Sequence, residues 1–197
     1  WVTAGDIQSF ADTNSKVLQA LLPEVIERMI RASLSEIDKI EFRSGDSVSE
    51  PGWDGQVNSS TSNLFIPSGL SGWEIGCDKN ITTKANDDYD KRKENSLGLP
   101  NSTTTYVFVT PRRWRGKARW VSDRNAEGFW KEVLAFDADD LELWLKMVPG
   151  VAAWLAREMG KFTANIEHIS EFWDNWKDQT TPALNSAIVL AGRSELR

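Results

Sequence analysis

Apolar positions recur at helical spacing through the opening of the chain and switch to strand-like alternation near residue 40. Val25, Ile26, Met29 and Ile30 form one stripe, and Pro23 has the fixed backbone angle that suits a first helical turn. The pattern predicts a short opening helix, then helices over residues 15–20 and 23–32. Lys39-Ile40-Glu41-Phe42-Arg43 alternates and predicts a first strand, and residues 45–52 are loop-like in composition. A second strand is expected over 53–58, opened by Asp54, and a third over 72–77. Turn residues at 59–63 and the Pro67-Ser68-Gly69 corner lie between them, so the three make a meander. Thr82 or Thr83 can cap a helix running to about residue 94, with Lys84, Asp88 and Lys91 on one face.

Thr104-Thr105-Tyr106-Val107-Phe108-Val109 is a near-continuous run of β-formers, the signature of a central strand covered on both faces. It delivers Thr110-Pro111-Arg112-Arg113 at its C-terminal end, the edge at which open α/β sheets usually bind ligands. Val133-Leu134-Ala135-Phe136 predicts a further strand. Asp137-Ala138-Asp139-Asp140 then loads a helix N-terminus with acids, an arrangement that fits capping. Pro149 begins another helix, and Phe172, Trp173 and Trp176 form an aromatic stripe after it. Ala187-Ile188-Val189-Leu190-Ala191-Gly192-Arg193 is strand-like. Helices and strands in this order predict an α/β domain over residues 1–147. A Trp-rich helical extension over 148–197 leads toward a further domain of the same polypeptide.

Composition narrows the class. The chain has 197 residues, 40% hydrophobic and 26% charged, with no apolar run long enough to span a bilayer. The start at Trp1 has neither a basic nor an apolar leader and lacks an initiator methionine, so a trimmed fragment is expected. One cysteine, Cys77, rules out an internal disulfide or a thiolate cluster and favours a reducing, cytoplasmic setting. His168 is the only histidine, which rules out a His-rich zinc site. A net charge of −6 argues against a nonspecific DNA coat. The stretch from Pro111 to Trp120 nevertheless interleaves Arg112, Arg113, Arg115, Lys117 and Arg119 with two tryptophans and no acid. It is either a phosphate-facing patch or a solvated loop paired with acids elsewhere. Most of the ten tryptophans are expected in the core.

The candidate chemistry lies in Pro51-Gly52-Trp53-Asp54-Gly55 and Ser71-Gly72-Trp73-Glu74-Ile75-Gly76. Each acid follows a tryptophan and neighbours glycines, on strands expected to be adjacent, and two fixed carboxylates suit a divalent cation. Strand alternation puts Glu74 and Gly76 on one face, Trp73 and Ile75 on the other. The plain alternative is that Asp54 bonds its own turn and Glu74 faces solvent.

From about Pro23 to Phe136 the chain resembles the PD-(D/E)xK, restriction-endonuclease-like nucleases. The resemblance implies a mixed sheet flanked by helices, phosphodiester hydrolysis and dependence on Mg²⁺ or Mn²⁺. Asp54 matches the first acid and Glu74 the second, while Gly76 stands where the lysine is usual. Lys84 on the following helix is the candidate replacement, with Lys79 in reserve, and Glu24 matches the place of a further acid, ahead of Glu27. Arg112, Arg113 and Lys117 would contact phosphates of duplex DNA. The wider pattern, including Thr110-Pro111-Arg112-Arg113-Trp114 and Asp137-Ala138-Asp139-Asp140-Leu141-Glu142-Leu143-Trp144-Leu145, resembles N-terminal effector regions of large bacterial anti-phage defence proteins. The function expected is a metal-dependent DNA endonuclease effector domain, with duplex DNA as substrate, further domains of the same polypeptide and a second copy of the chain as candidate partners, and no membrane partner. The alternative is a degenerate nuclease-fold module for nucleic-acid sensing or assembly, and a sugar-binding domain ranks third.

Overall fold

The computed structural model describes residues 1–43 and 52–161, together with Phe172, Trp173, Trp176, Lys177 and Gln179. It opens with α1 (Ala4–Thr13), whose Thr3 N-cap and Asp6 form a capping box, and continues directly into α2 (Ser15–Ser33). Pro23, expected to begin a helix, lies inside α2. An interior proline costs about 3 kcal/mol. Leu18, Leu22, Val25, Ile26, Met29 and Ile30 are all buried on the same helix, each worth roughly 1.5–3 kcal/mol, so packing outweighs the lost hydrogen bond.

Strands β1 (Lys39–Phe42), β2 (Gly55–Ser59) and β3 (Gly69–Ile75) form the antiparallel meander read from the sequence. After β3 the chain crosses through α3 (Ile81–Glu94) to β4 (Thr105–Val109), then through α4 (Lys117–Ala126) to β5 (Glu132–Phe136), both strands parallel to β3. The result is an α/β fold with a five-stranded mixed sheet in the order β1-β2-β3-β4-β5. The cap of α3 is Asn80, whose side chain accepts the Thr83 N–H, not Thr82 or Thr83. Helix α4 was not foreseen: it lies within the basic stretch and buries only Trp120, so it has no apolar stripe to signal it.

Two cores cover the sheet. On one face, α1, α2, α5 (Ala138–Met147) and α6 (Pro149–Glu158) pack against Val57, Trp73, Ile75, Val107, Val109 and Phe136. On the other, α3 and α4 pack Ala85, Tyr89 and Trp120 against Trp53, Tyr106, Phe108, Trp130 and Val133. All five residues of β4 are buried, as expected of a strand sandwiched by helices. Six tryptophans are buried, among them Trp144, whose neighbour Phe65 stacks parallel to it at 4.9 Å between centroids. Helix α6 begins at Pro149 as expected, but its Ala152, Leu155 and Ala156 complete the first core, so the boundary expected after residue 147 falls within one continuous core. Asp137 caps α5 in a capping box with Asp140, the role its sequence pattern predicted. Trp173 and Trp176 of the expected aromatic stripe have ring centroids 5.5 Å apart, and Phe172 is exposed. His168 and the strand-like run 187–193 lie outside the described residues. Among the described residues no helix is long and apolar enough to cross a membrane.

Candidate active site

The site is built where β2 begins and β3 ends. Gly55 pairs with Trp73, and the register carried one residue further sets Asp54 opposite Glu74. At that point the Asp54 side chain accepts the Ile75 N–H at 2.7 Å, extending the ladder beyond the first residue of β2. Alternation along β3 turns Trp73 and Ile75 into the first core and Glu74 toward α3. Asp54 therefore bonds the neighbouring strand and not its own turn, and Glu74, 4% exposed, does not face solvent. Trp53 anchors this corner: its ring covers Gly72, where a Cβ would stand 2.7 Å from it, and its indole N–H donates to the Ser96 carbonyl.

Helix α3 supplies the cations. Lys84, Asp88 and Arg92 follow one another at four-residue spacing and share one face of the helix. Arg92, which the sequence reading overlooked, is 2% exposed. Its guanidinium donates to Glu74 Oε1 and to the Gly52 carbonyl, and lies 5.0 Å from the Trp53 ring centroid. It thereby ties the segment leading to Asp54 to the strand bearing Glu74. The available signal was its spacing of eight from Lys84; Lys91, seven away, is exposed. Lys84 passes directly over the glycine at the vacant lysine position. A Cβ on Gly76 would stand 2.8 Å from Lys84 Cγ and 2.7 Å from Phe108 Cζ. The Lys84 ammonium donates to Asp88 Oδ1 at 2.7 Å.

Burial raises the acids of this cluster. Glu74 is pushed up to about 8, first by burial and then by the Asp54 charge, against the opposing pull of Arg92. Asp54 is raised by burial although the Ile75 N–H lowers it, and Asp88 is raised by burial in spite of Lys84. Burial pulls the Lys84 ammonium down, but Asp88, Glu74 and Asp54 together raise it above the ordinary lysine value. Three carboxylates thus stand near the cations Lys84, Lys91 and Arg92. Asp54 Oδ2 and Glu74 Oε1 have hydrogen bonds, which leaves one oxygen on each without a partner among the described residues. Among the described residues no three Asp, Glu, His or Cys side chains converge closely enough to hold a metal ion. Two carboxylates suffice for Mg²⁺, which keeps several waters and takes further oxygens from substrate phosphates.

The remaining expected site residues lie elsewhere. Glu24 is on α2, across the sheet from α3, and is held by Arg28, which stacks on Trp154 of α6; Glu27 is held by Arg31. Within the basic stretch Arg112 turns inward, while Arg113, Arg115 and Arg119 are exposed. Arg112 is buried and donates to the Cys77 and Ala11 carbonyls and to Asp12, which ties the end of α1 to the end of β3. Arg113 pairs with Asp139 at 2.9 Å, and Lys117 with Asp137 and Asp140 at the start of α5. The acids that cap α5 thus neutralise these two cations, as the alternative reading of the loop allowed. Lys79, Lys91 and Arg115 are exposed and make no ion pair among the described residues.

No family model, curated protein or solved structure matches the chain.

Proposed function

We propose that this is a restriction-endonuclease-like domain that hydrolyses phosphodiester bonds in duplex DNA, with Asp54 and Glu74 as metal ligands and Lys84 as the charge facing the phosphate. One observation supports the reading: the Lys84 side chain crosses Gly76, the strand position at which the resembled nucleases carry their lysine, and its ammonium lies within the field of both acids. The donor set fits Mg²⁺ or Mn²⁺, because the acids are hard oxygen ligands with one oxygen each left over. A bound divalent ion would supply Lewis-acid polarisation of the phosphate and a more acidic water.

The chain's own residues do the rest. Asp54 is fixed by the Ile75 N–H and Glu74 by Arg92, so the acids are preorganised. In hydrolysis the water oxygen bonds to phosphorus and gives up one proton to solvent, the bond to the leaving sugar oxygen breaks, and that oxygen takes up one proton from solvent. Negative charge grows on the phosphate oxygens, where the Lys84 ammonium stabilises it. Lys79, Lys91 and Arg115 are the exposed cations available to the DNA backbone, in place of the inward-turned Arg112. An effector role in anti-phage defence belongs to the same proposal and rests on the sequence resemblance.

A second reading is favoured by the Arg92–Glu74 pair. A buried guanidinium on a ligand carboxylate can replace a metal permanently, which would leave an assembly or nucleic-acid-sensing module. Calorimetry with Mn²⁺ separates the two: uptake by the wild type that is lost in Glu74→Gln supports the nuclease, and no uptake supports the module.

A further inference from the structure

Asp88 stands out within α3. Its neighbours Asp87 and Asp90 are exposed, as expected of acids on a solvated helix, whereas Asp88 is 5% exposed and turned toward the sheet. Its Oδ1 accepts from Lys84, while its Oδ2 is buried without a hydrogen-bond partner. A surface i,i+4 pair requires neither the burial nor the unpartnered oxygen, and both disfavour the folded state. The Asp88 charge also opposes ionisation of Asp54 and Glu74. Asp88 therefore works against the fold and against its two neighbouring acids. What it provides in return is the fixed direction of the Lys84 side chain.

We infer that Asp88 is a positioning residue, which holds Lys84 extended across Gly76 and yields it to the phosphate when a phosphodiester enters. This rests on the nuclease reading above. Around the pair stand Lys91 and Arg92 on α3, Asp54 before β2, Glu74 on β3 and Tyr106 on β4, whose buried hydroxyl also has no partner. Three acids, Asp54, Glu74 and Asp88, thus stand near the three cations Lys84, Lys91 and Arg92, and Arg92 is committed to Glu74 and the Gly52 carbonyl. Moving the Lys84 ammonium from Asp88 to a phosphate exchanges one anionic partner for another.

The test uses the full chain with Asp88→Asn and Asp88→Glu, with three readouts. Thermal unfolding comes first: a mainly structural ion pair makes Asp88→Asn less stable, whereas the positioning role predicts a melting midpoint raised by about 2–4 °C, because a strained buried charge is removed. The Mg²⁺-dependent cleavage of duplex DNA comes second: kcat is expected to fall about tenfold to a hundredfold in Asp88→Asn with KM changed little, and Asp88→Glu to recover part of it. The third needs no cleavage: ¹³C-dimethylated Lys84, followed by NMR titration without metal or DNA, is expected to lose its proton at lower pH in Asp88→Asn. A destabilised Asp88→Asn, or an unchanged kcat together with an unchanged Lys84 titration, overturns the assignment. If the wild type cuts nothing while the Lys84 titration still moves and stability rises, the nuclease reading fails and the positioning by Asp88 stands.

Discussion

Lys84 and Gly76 are in direct contact: the lysine's aliphatic chain occupies the space that any side chain at residue 76 would need. Gly76→Ala sets a methyl group against Lys84 Cγ and the Phe108 ring at once. Phe108 is fully buried and has little freedom to move, so overpacking of about 1–3 kcal/mol is expected, together with loss of cleavage as Lys84 is displaced. Urea unfolding checks the first part, and a Gly76→Ala variant as stable as the wild type would show that Lys84 does not lie there.

Arg92 holds two acceptors in a dry environment. Its replacement by Met leaves the Gly52 carbonyl and Glu74 without their donor, at a cost of about 3 kcal/mol. Glu74 would then keep its proton to still higher pH. Adding Glu74→Gln to Arg92→Met is expected to recover part of the loss, and a double-mutant cycle by denaturant unfolding measures the coupling.

Stability should fall as the solution becomes more alkaline. Glu74 is raised from 4.5 to about 8 in the fold, so the folded state holds a proton that the unfolded state has released between those values. The contribution is fully present below pH 4.5 and is lost as pH rises through about 8, with a slope of at most about 1.4 kcal/mol per pH unit from this one group. Asp54 and Asp88 act in the same direction. Unfolding curves from about pH 5 to about pH 9 are expected to show this decline, and Glu74→Gln to flatten it. Divalent cations compete with the same proton, so their affinity should rise over the same interval.

Arg112 and Arg115 should behave differently although they are near neighbours in the chain. Arg112→Ala breaks the tie between α1 and the end of β3 and is expected to cost roughly 3 kcal/mol while leaving the salt dependence of DNA binding unchanged. Arg115→Glu should leave stability unchanged and weaken binding, with a shallower dependence on salt. Fluorescence anisotropy at several salt concentrations tests both.

Local patterns that depend on one element were legible in the sequence. The alternation of Trp73, Glu74, Ile75 and Gly76 marked the two faces of β3, the β-former run at Thr105–Val109 marked a doubly covered strand, and the acids after Phe136 marked the α5 cap. What depended on distant partners was not. Pro23 is tolerated because apolar residues on either side of it pack against the sheet, which a local rule about proline does not weigh. The basic run reads the same whether its cations face DNA or the acids of α5, since Asp137 and Asp139 are distant in the chain. Arg92 was hidden because a charged residue late in a polar helix is ordinarily exposed, and only the placement of Glu74 beneath it brings it inside.

The central claim is that Asp54, Glu74 and Lys84 form a metal-dependent phosphodiesterase site. Glu74→Gln is the sharpest probe, because it imitates the protonated state that burial already favours and so keeps the fold. Supercoiled duplex DNA incubated with the wild type and with Glu74→Gln at about pH 8, with and without Mg²⁺ or Mn²⁺, is the direct measurement. The expected result is nicking by the wild type only when metal is present and none by the variant. No cleavage by the wild type under any of these conditions, or equal cleavage by both proteins, would contradict it.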